Sequence, residues 1–121
     1  MVLSCEYHRE MDIIVKEYIR ADQSNPFRRW SDGPDTQAAG QVAKAIVRMK
    51  QGNTSNIKSL GGISEYVIDW GPGYRIYLAQ EGSTIIILFG GGTKRRQQAD
   101  INRARLLYQE YKQRKKAGGP P

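Results

Sequence analysis

The chain has 121 residues, 39% of them hydrophobic, and a net charge of +7, enough for one domain with a modest core and not for two. Its longest apolar run, Ile85 to Phe89, falls far short of the ~20 residues of a membrane helix. The single cysteine, Cys5, rules out an internal disulfide and a cysteine-based zinc site, and Met1 to Glu10 lacks the apolar stretch of a signal peptide; the expected setting is a reducing cytoplasm, with no membrane contact.

Residues 1–10 show no periodicity and are expected to form a tail, and 117–121 another, around a single domain at 11–116. Asp12 to Arg20 is apolar and β-branched at its start and reads as a strand. Asn25 followed by Pro26 predicts a capped short helix, with Phe27 and Trp30 on one face anchoring it. Pro34 opens the main helix, whose apolar stripe is Ala39, Val42, Ala43, Ile46 and Met49. Gly52-Asn53 supplies its stop. Ile57 to Asp69, broken at Gly61-Gly62, reads as the next extended segment, with Tyr66 and Ile68 on one side and Glu65 and Val67 on the other. Tyr74 to Gln80 and Thr84 to Phe89 form a hairpin around Glu81-Gly82-Ser83. Gly90-Gly91-Gly92 reads as a strand-to-helix turn, and the last helix runs from about Thr93 to Lys115 on a stripe of Ile101, Ala104, Tyr108 and Tyr111, with Leu107 alongside. The expected fold is α+β, with helices packed on a mainly antiparallel sheet of four strands.

The positive charge is concentrated. Between Lys94 and Lys116 lie nine basic residues, opposed by Asp100 and Glu110 alone. That segment carries the whole net charge and calls for an anionic partner, either nucleic acid or an acidic protein; the plainer reading is a solvated helix.

The sequence holds one histidine, His8, so a ribonuclease mechanism built on two histidines is excluded. It has no HExxH, no paired acidic metal motif and no nucleophile elbow. Gly90-Gly91-Gly92-Thr93-Lys94 lacks phosphate-loop spacing, yet a glycine turn before a helix presents N–H groups to an anion. Cleaving RNA without a metal or any cofactor needs an activated 2′-hydroxyl, a stabilised phosphorane and a protonated leaving oxygen. Arg75 suits charge stabilisation through its planar fork. Lys94, crowded by Arg95 and Arg96, suits proton transfer. Tyr74, Tyr77 and Tyr108 suit base stacking or positioning. Each has a structural alternative: a cross-strand ion pair for Arg75, core packing for the tyrosines. Glu65 stands as a lesser base candidate, or as the partner of a neighbouring lysine.

Taken in order, Phe27-Arg28-Arg29-Trp30, Gly52-Asn53, Lys58-Ser59-Leu60-Gly61, Ser64-Glu65, Gly71-Pro72-Gly73-Tyr74-Arg75-Ile76-Tyr77, Leu88-Phe89-Gly90-Gly91-Gly92-Thr93-Lys94 and Asp100-Ile101 with Ala104 resemble the RelE/ParE toxin superfamily, in its HigB-like branch of addiction-module killer proteins. The resemblance spans about Pro26 to Tyr111. It implies a compact RelE-like fold with a curved sheet and a basic C-terminal helix, and the toxin of a type II toxin–antitoxin system. Such a toxin would be a metal-independent endoribonuclease, an mRNA interferase that cuts messenger RNA on the ribosome and arrests growth by inhibiting translation. It implies a cognate helix-turn-helix antitoxin as partner. Catalytic roles then fall on Arg75, Lys94 and Tyr108, and RNA binding on Lys58, Tyr74, Tyr77, Arg95, Arg96 and Arg103. The chain departs from the family pattern at Val67, where many members carry arginine, and at Thr93, where an acidic residue is usual. Two other functions remain open: a ParE-like inhibitor of a protein such as DNA gyrase, and a nucleic-acid-binding module without catalysis.

Overall fold

The structure, a computed structural model, describes residues 13–33 and 36–118. The expected tail with Cys5 and His8, and the part assigned to Pro34, lie outside the described residues. The Asn25 side-chain oxygen accepts a hydrogen bond from the Arg28 N–H, and Pro26 needs no partner for a missing donor, so helix α1 forms at Pro26–Ser31. Helix α2, Thr36–Lys50, stops at Gly52, whose φ of +84° suits glycine. There the Gly52 N–H bonds the Met49 carbonyl and the Asn53 N–H that of Arg48, a Schellman closure of the helix end.

The strands are β1 (Ile14–Glu17), β2 (Ile57–Ser59), β3 (Ser64–Ile68), β4 (Tyr74–Glu81) and β5 (Ile85–Thr93). They form a five-stranded sheet in the order β1-β5-β4-β3-β2. The expectation of four mainly antiparallel strands is corrected twice. Gly61 and Gly62 both take positive φ and fold 57–69 back on itself, so that stretch makes two antiparallel strands rather than one. β1 pairs parallel to β5, from Ile14 opposite Ile85 to Glu17 opposite Leu88, so the sheet is mixed.

A further correction concerns the glycines. They do not form a turn: Gly90, Gly91 and Gly92 continue β5 and pair with Tyr77, Ile76 and Arg75. The register shifts between Tyr77 and Leu78, which makes Phe89 the extra residue of a β-bulge. A 3-10 turn follows at Lys94–Arg96, and helix α3 occupies Gln97–Lys116 rather than beginning at Thr93.

Strand alternation sorts side chains onto two faces. On one face Tyr66, Ile68, Ile76, Leu78, Ile86 and Leu88 meet Phe27 of α1 and Val42, Ala45 and Met49 of α2. Ala45 takes the place expected of Ala43, which is exposed. On the other face Tyr18, Ile63, Tyr77, Ala79, Ile87 and Phe89 meet Ile101, Ala104, Leu107 and Tyr111 of α3. The sheet is therefore the middle of three layers. Clamps hold α3 in place: Arg20 forks onto Glu110 at 3.0 and 2.9 Å, Tyr18 donates to the same carboxylate at 2.6 Å, and Tyr111 donates to Glu81 at 2.8 Å.

Candidate functional site

The two turn glycines Gly71 and Gly73 take φ values of 58° and 78°, which fold Trp70 to Gly73 into a tight corner before β4. The Gly73 carbonyl then organises the end of the sheet. It accepts the Lys94 backbone N–H at 2.9 Å and the Arg75 Nη1 at 3.2 Å. Arg75 from β4 and Lys94 from the turn after β5 are thus brought to one carbonyl, Lys94 through its backbone and with its side chain exposed.

Arg75 points to the α3 face. Its Nε lies 3.5 Å from Glu65 Oε2, and the two side chains are 12% and 6% exposed. Glu65 also accepts from Gln97 Nε2 at 3.1 Å, at the start of α3. The buried carboxylate is offset by an arginine and an amide, as a buried charge requires. Both readings of Arg75 meet here: it forms a cross-strand ion pair, and its Nη2 has no hydrogen-bond partner among the described residues.

Tyr77 sits beside this pair. It is fully buried, its hydroxyl has no hydrogen-bond partner among the described residues, and burial, with the nearby Glu65 and Asp100 charges, pushes its pKa up to about 12. Asp100 is raised as well, by burial, against the pull of Arg96 and Arg103. A Cβ on Gly92 would overlap the Asp100 carboxyl, and one on Gly91 would overlap the Trp30 ring. The glycines therefore serve close approach of α1 and α3 to the two sides of β5.

The other predicted residues are dispersed. Tyr74 lies on the opposite face, stacked on Trp70 at 5.9 Å and 6.5 Å from Trp30. Tyr108 is half-buried against Phe89 at 5.6 Å and carries Lys112 Nζ over its ring at 4.5 Å. It lies three turns along α3 from Gln97, roughly 16 Å, and does not join Arg75 and Lys94. Lys58 is exposed on β2, opposite Glu65 in the register. Arg95, Arg96 and Arg103 are exposed. Sequence reasoning missed Gln97 and Asp100 as companions of Glu65 and Arg75; their signal was helical spacing on the sheet-facing side of α3.

A cleft of about 760 Å³ opens beside this cluster, between α1 and α3. Trp30, Gly91 and Leu107 line it together with Arg29, Arg96, Arg103 and Asp100. Among the described residues, no group of three or more His, Cys, Asp or Glu side chains is placed to hold a metal ion, and no helix is long and apolar enough to cross a membrane.

An uncharacterized protein of Haemophilus influenzae is 43% identical over 75 residues, 61% of this chain and 76% of that protein. The chain belongs to one family with that protein. No family model and no solved structure matches this chain.

Proposed function

We propose that this protein is a toxin of a type II toxin–antitoxin pair, with a compact RelE-like fold, that cleaves messenger RNA in the cytoplasm without a metal. One observation carries the reading: the Arg75 guanidinium and the Lys94 backbone N–H share the Gly73 carbonyl, so the two residues stand at one end of the sheet, the Lys94 side chain exposed there. As the 2′-oxygen bonds to phosphorus and its proton passes to water, Arg75 Nη2 stabilises the phosphorane, and Lys94, on the exposed side, protonates the 5′-oxygen as its bond to phosphorus breaks. Glu65 orients the Arg75 guanidinium from below. Arg95 and Arg96, one and two residues beyond Lys94, hold the flanking phosphates.

The buried Glu65–Arg75 pair favours a second reading. A guanidinium held to a carboxylate is less available to a phosphate, which suits a toxin that binds a protein target with the exposed face of α3. Induced expression with mapping of RNA 5′ ends separates the two. The first reading expects growth arrest with discrete cuts in translated messages, and both are lost in Arg75→Ala and in Lys94→Ala. Arrest with intact messages overturns it in favour of a protein target. Arg75→Lys adds a control, because it keeps the charge and removes the fork.

A further inference from the structure

β1 covers only part of β5. Its last bond runs from the Tyr18 N–H to the Leu88 carbonyl at 3.0 Å, and the chain then turns away towards α1. From Phe89 to Thr93 the outer edge of β5 has no strand beside it among the described residues. The direction of its free groups follows from alternation. The Lys94 N–H reaches inward to Gly73, so Gly92 and Gly90 also face β4, and the N–H and C=O of Gly91 and Thr93 face outward into the cleft. The Thr93 C=O is taken up by the 3-10 turn that follows, as its N-cap carbonyl, which leaves the Gly91 N–H and C=O and the Thr93 N–H without a strand to pair with among the described residues. The bulge at Phe89 sets this parity, and without it the outward residues would be Gly90 and Gly92.

An open edge usually carries a blocking side chain, a proline or a cover. Here it carries glycines, and a Cβ placed on Gly90 meets nothing within 4 Å. The lining is cationic. Arg20, Arg29, Arg96 and Arg103 line the cleft against two carboxylates: Glu110 is held by Arg20 and Tyr18, and the half-buried Asp100 attracts Arg96 and Arg103 without a hydrogen bond or ion pair to either, so among the described residues Arg29, Arg96 and Arg103 keep their donors open. A cleft lined both by strand-edge backbone groups and by arginines with open donors matches an extended acidic peptide better than a nucleic acid. RNA would leave the strand edge unused, while a peptide uses both features.

We propose that this cleft receives an extended acidic segment of a partner protein, which adds as a sixth strand to the outer edge of β5 at Gly91 and Thr93 and places carboxylates on Arg29, Arg96 and Arg103. The inference does not depend on RNA cleavage, and its test reads none.

The probe is a capped peptide of alternating glutamate and valine, about six residues long, titrated into the full chain with amide exchange and Trp fluorescence as readouts. The expected result is saturable binding that slows exchange at the Gly91 and Thr93 amides and weakens as salt rises. Methylating the peptide nitrogens that face β5 abolishes the protection. Gly90→Val, which fills open space, weakens binding roughly tenfold or more; Arg103→Ala, an exposed change that leaves the sheet intact, gives a second loss should Gly90→Val fail to fold. Absence of protection at those amides, equal binding of the lysine–valine peptide, or a single-stranded oligouridylate binding this cleft in preference to the acidic peptide each overturns the proposal.

Discussion

Gly90 and Gly92 face the same side of β5, but their surroundings differ. A Cβ at Gly92 would overlap the Asp100 carboxyl, whereas one at Gly90 would meet open space. Gly92→Ala is expected to cost about 1–3 kcal/mol through overpacking, and Gly90→Ala to change stability by no more than about 0.5 kcal/mol. The cause is tested by a cycle: with Asp100→Ala in the background, the Gly92→Ala penalty in guanidinium unfolding should shrink by about 0.5–3 kcal/mol. An undiminished penalty would show that the Asp100 side chain is not the obstacle. Tyr77 poses a different question at the same scale. Its hydroxyl is buried without a hydrogen-bond partner among the described residues, and such a group loses its water for nothing. Tyr77→Phe should be neutral or stabilising by about 1 kcal/mol in the same unfolding assay. A clear destabilisation would reveal a partner for the hydroxyl.

Between elements, the loop after β1 is tied to α3 by Glu110. Hydrogen bonds from Arg20 and from Tyr18 hold its carboxyl below the ordinary glutamate range, which lies near ~4.3. Stability from this clamp is therefore complete above the ordinary value and is lost as pH falls through the lowered one. Wild type should lose stability below about pH 4 more steeply than Glu110→Gln, read from thermal midpoints across the acid range. Parallel curves would mean that the clamp does not contribute. The elements it joins were unevenly legible. The cap at Asn25, the stop at Gly52 and the hairpin at Gly82 were readable because each rests on local chemistry that a few residues carry. The continuation of β5 through Gly90, Gly91 and Gly92 was not readable: glycine runs signal a turn, and here Trp30 and Asp100, from distant elements, are what demand Gly91 and Gly92. The parallel pairing of Ile14 with Ile85 was hidden for a related reason, since no local pattern records a partner so far along the chain. At the candidate site, Arg75 and Lys94 were found by residue type and position. The burial of Tyr77 and the Glu65–Gln97 contact depend on how α3 lies across the sheet, which alternation alone does not give.

The whole molecule is a sheet with a separate apolar core on each side. Ile87 belongs to the α3 side and Leu88 to the side of α1 and α2, and they are neighbours in one strand. Both tryptophans, Trp30 and Trp70, pack on the Leu88 side. If β5 couples the two cores, damage to either must unfold both. Ile87→Ala and Leu88→Ala should each cost about 2–5 kcal/mol, and Ile87→Ala should move the fluorescence transition as far as the circular-dichroism transition, although no tryptophan touches the core that it opens. Separate transitions would mean that α3 and its core melt alone. That outcome would also bear on the Arg75 site, because Gln97 and Asp100 approach the Glu65–Arg75 pair only while the first turns of α3 are seated on β4 and β5. A cooperative transition ties the candidate site to the stability of the whole fold, so that core changes far from Arg75 act on that site only as they reduce the folded fraction.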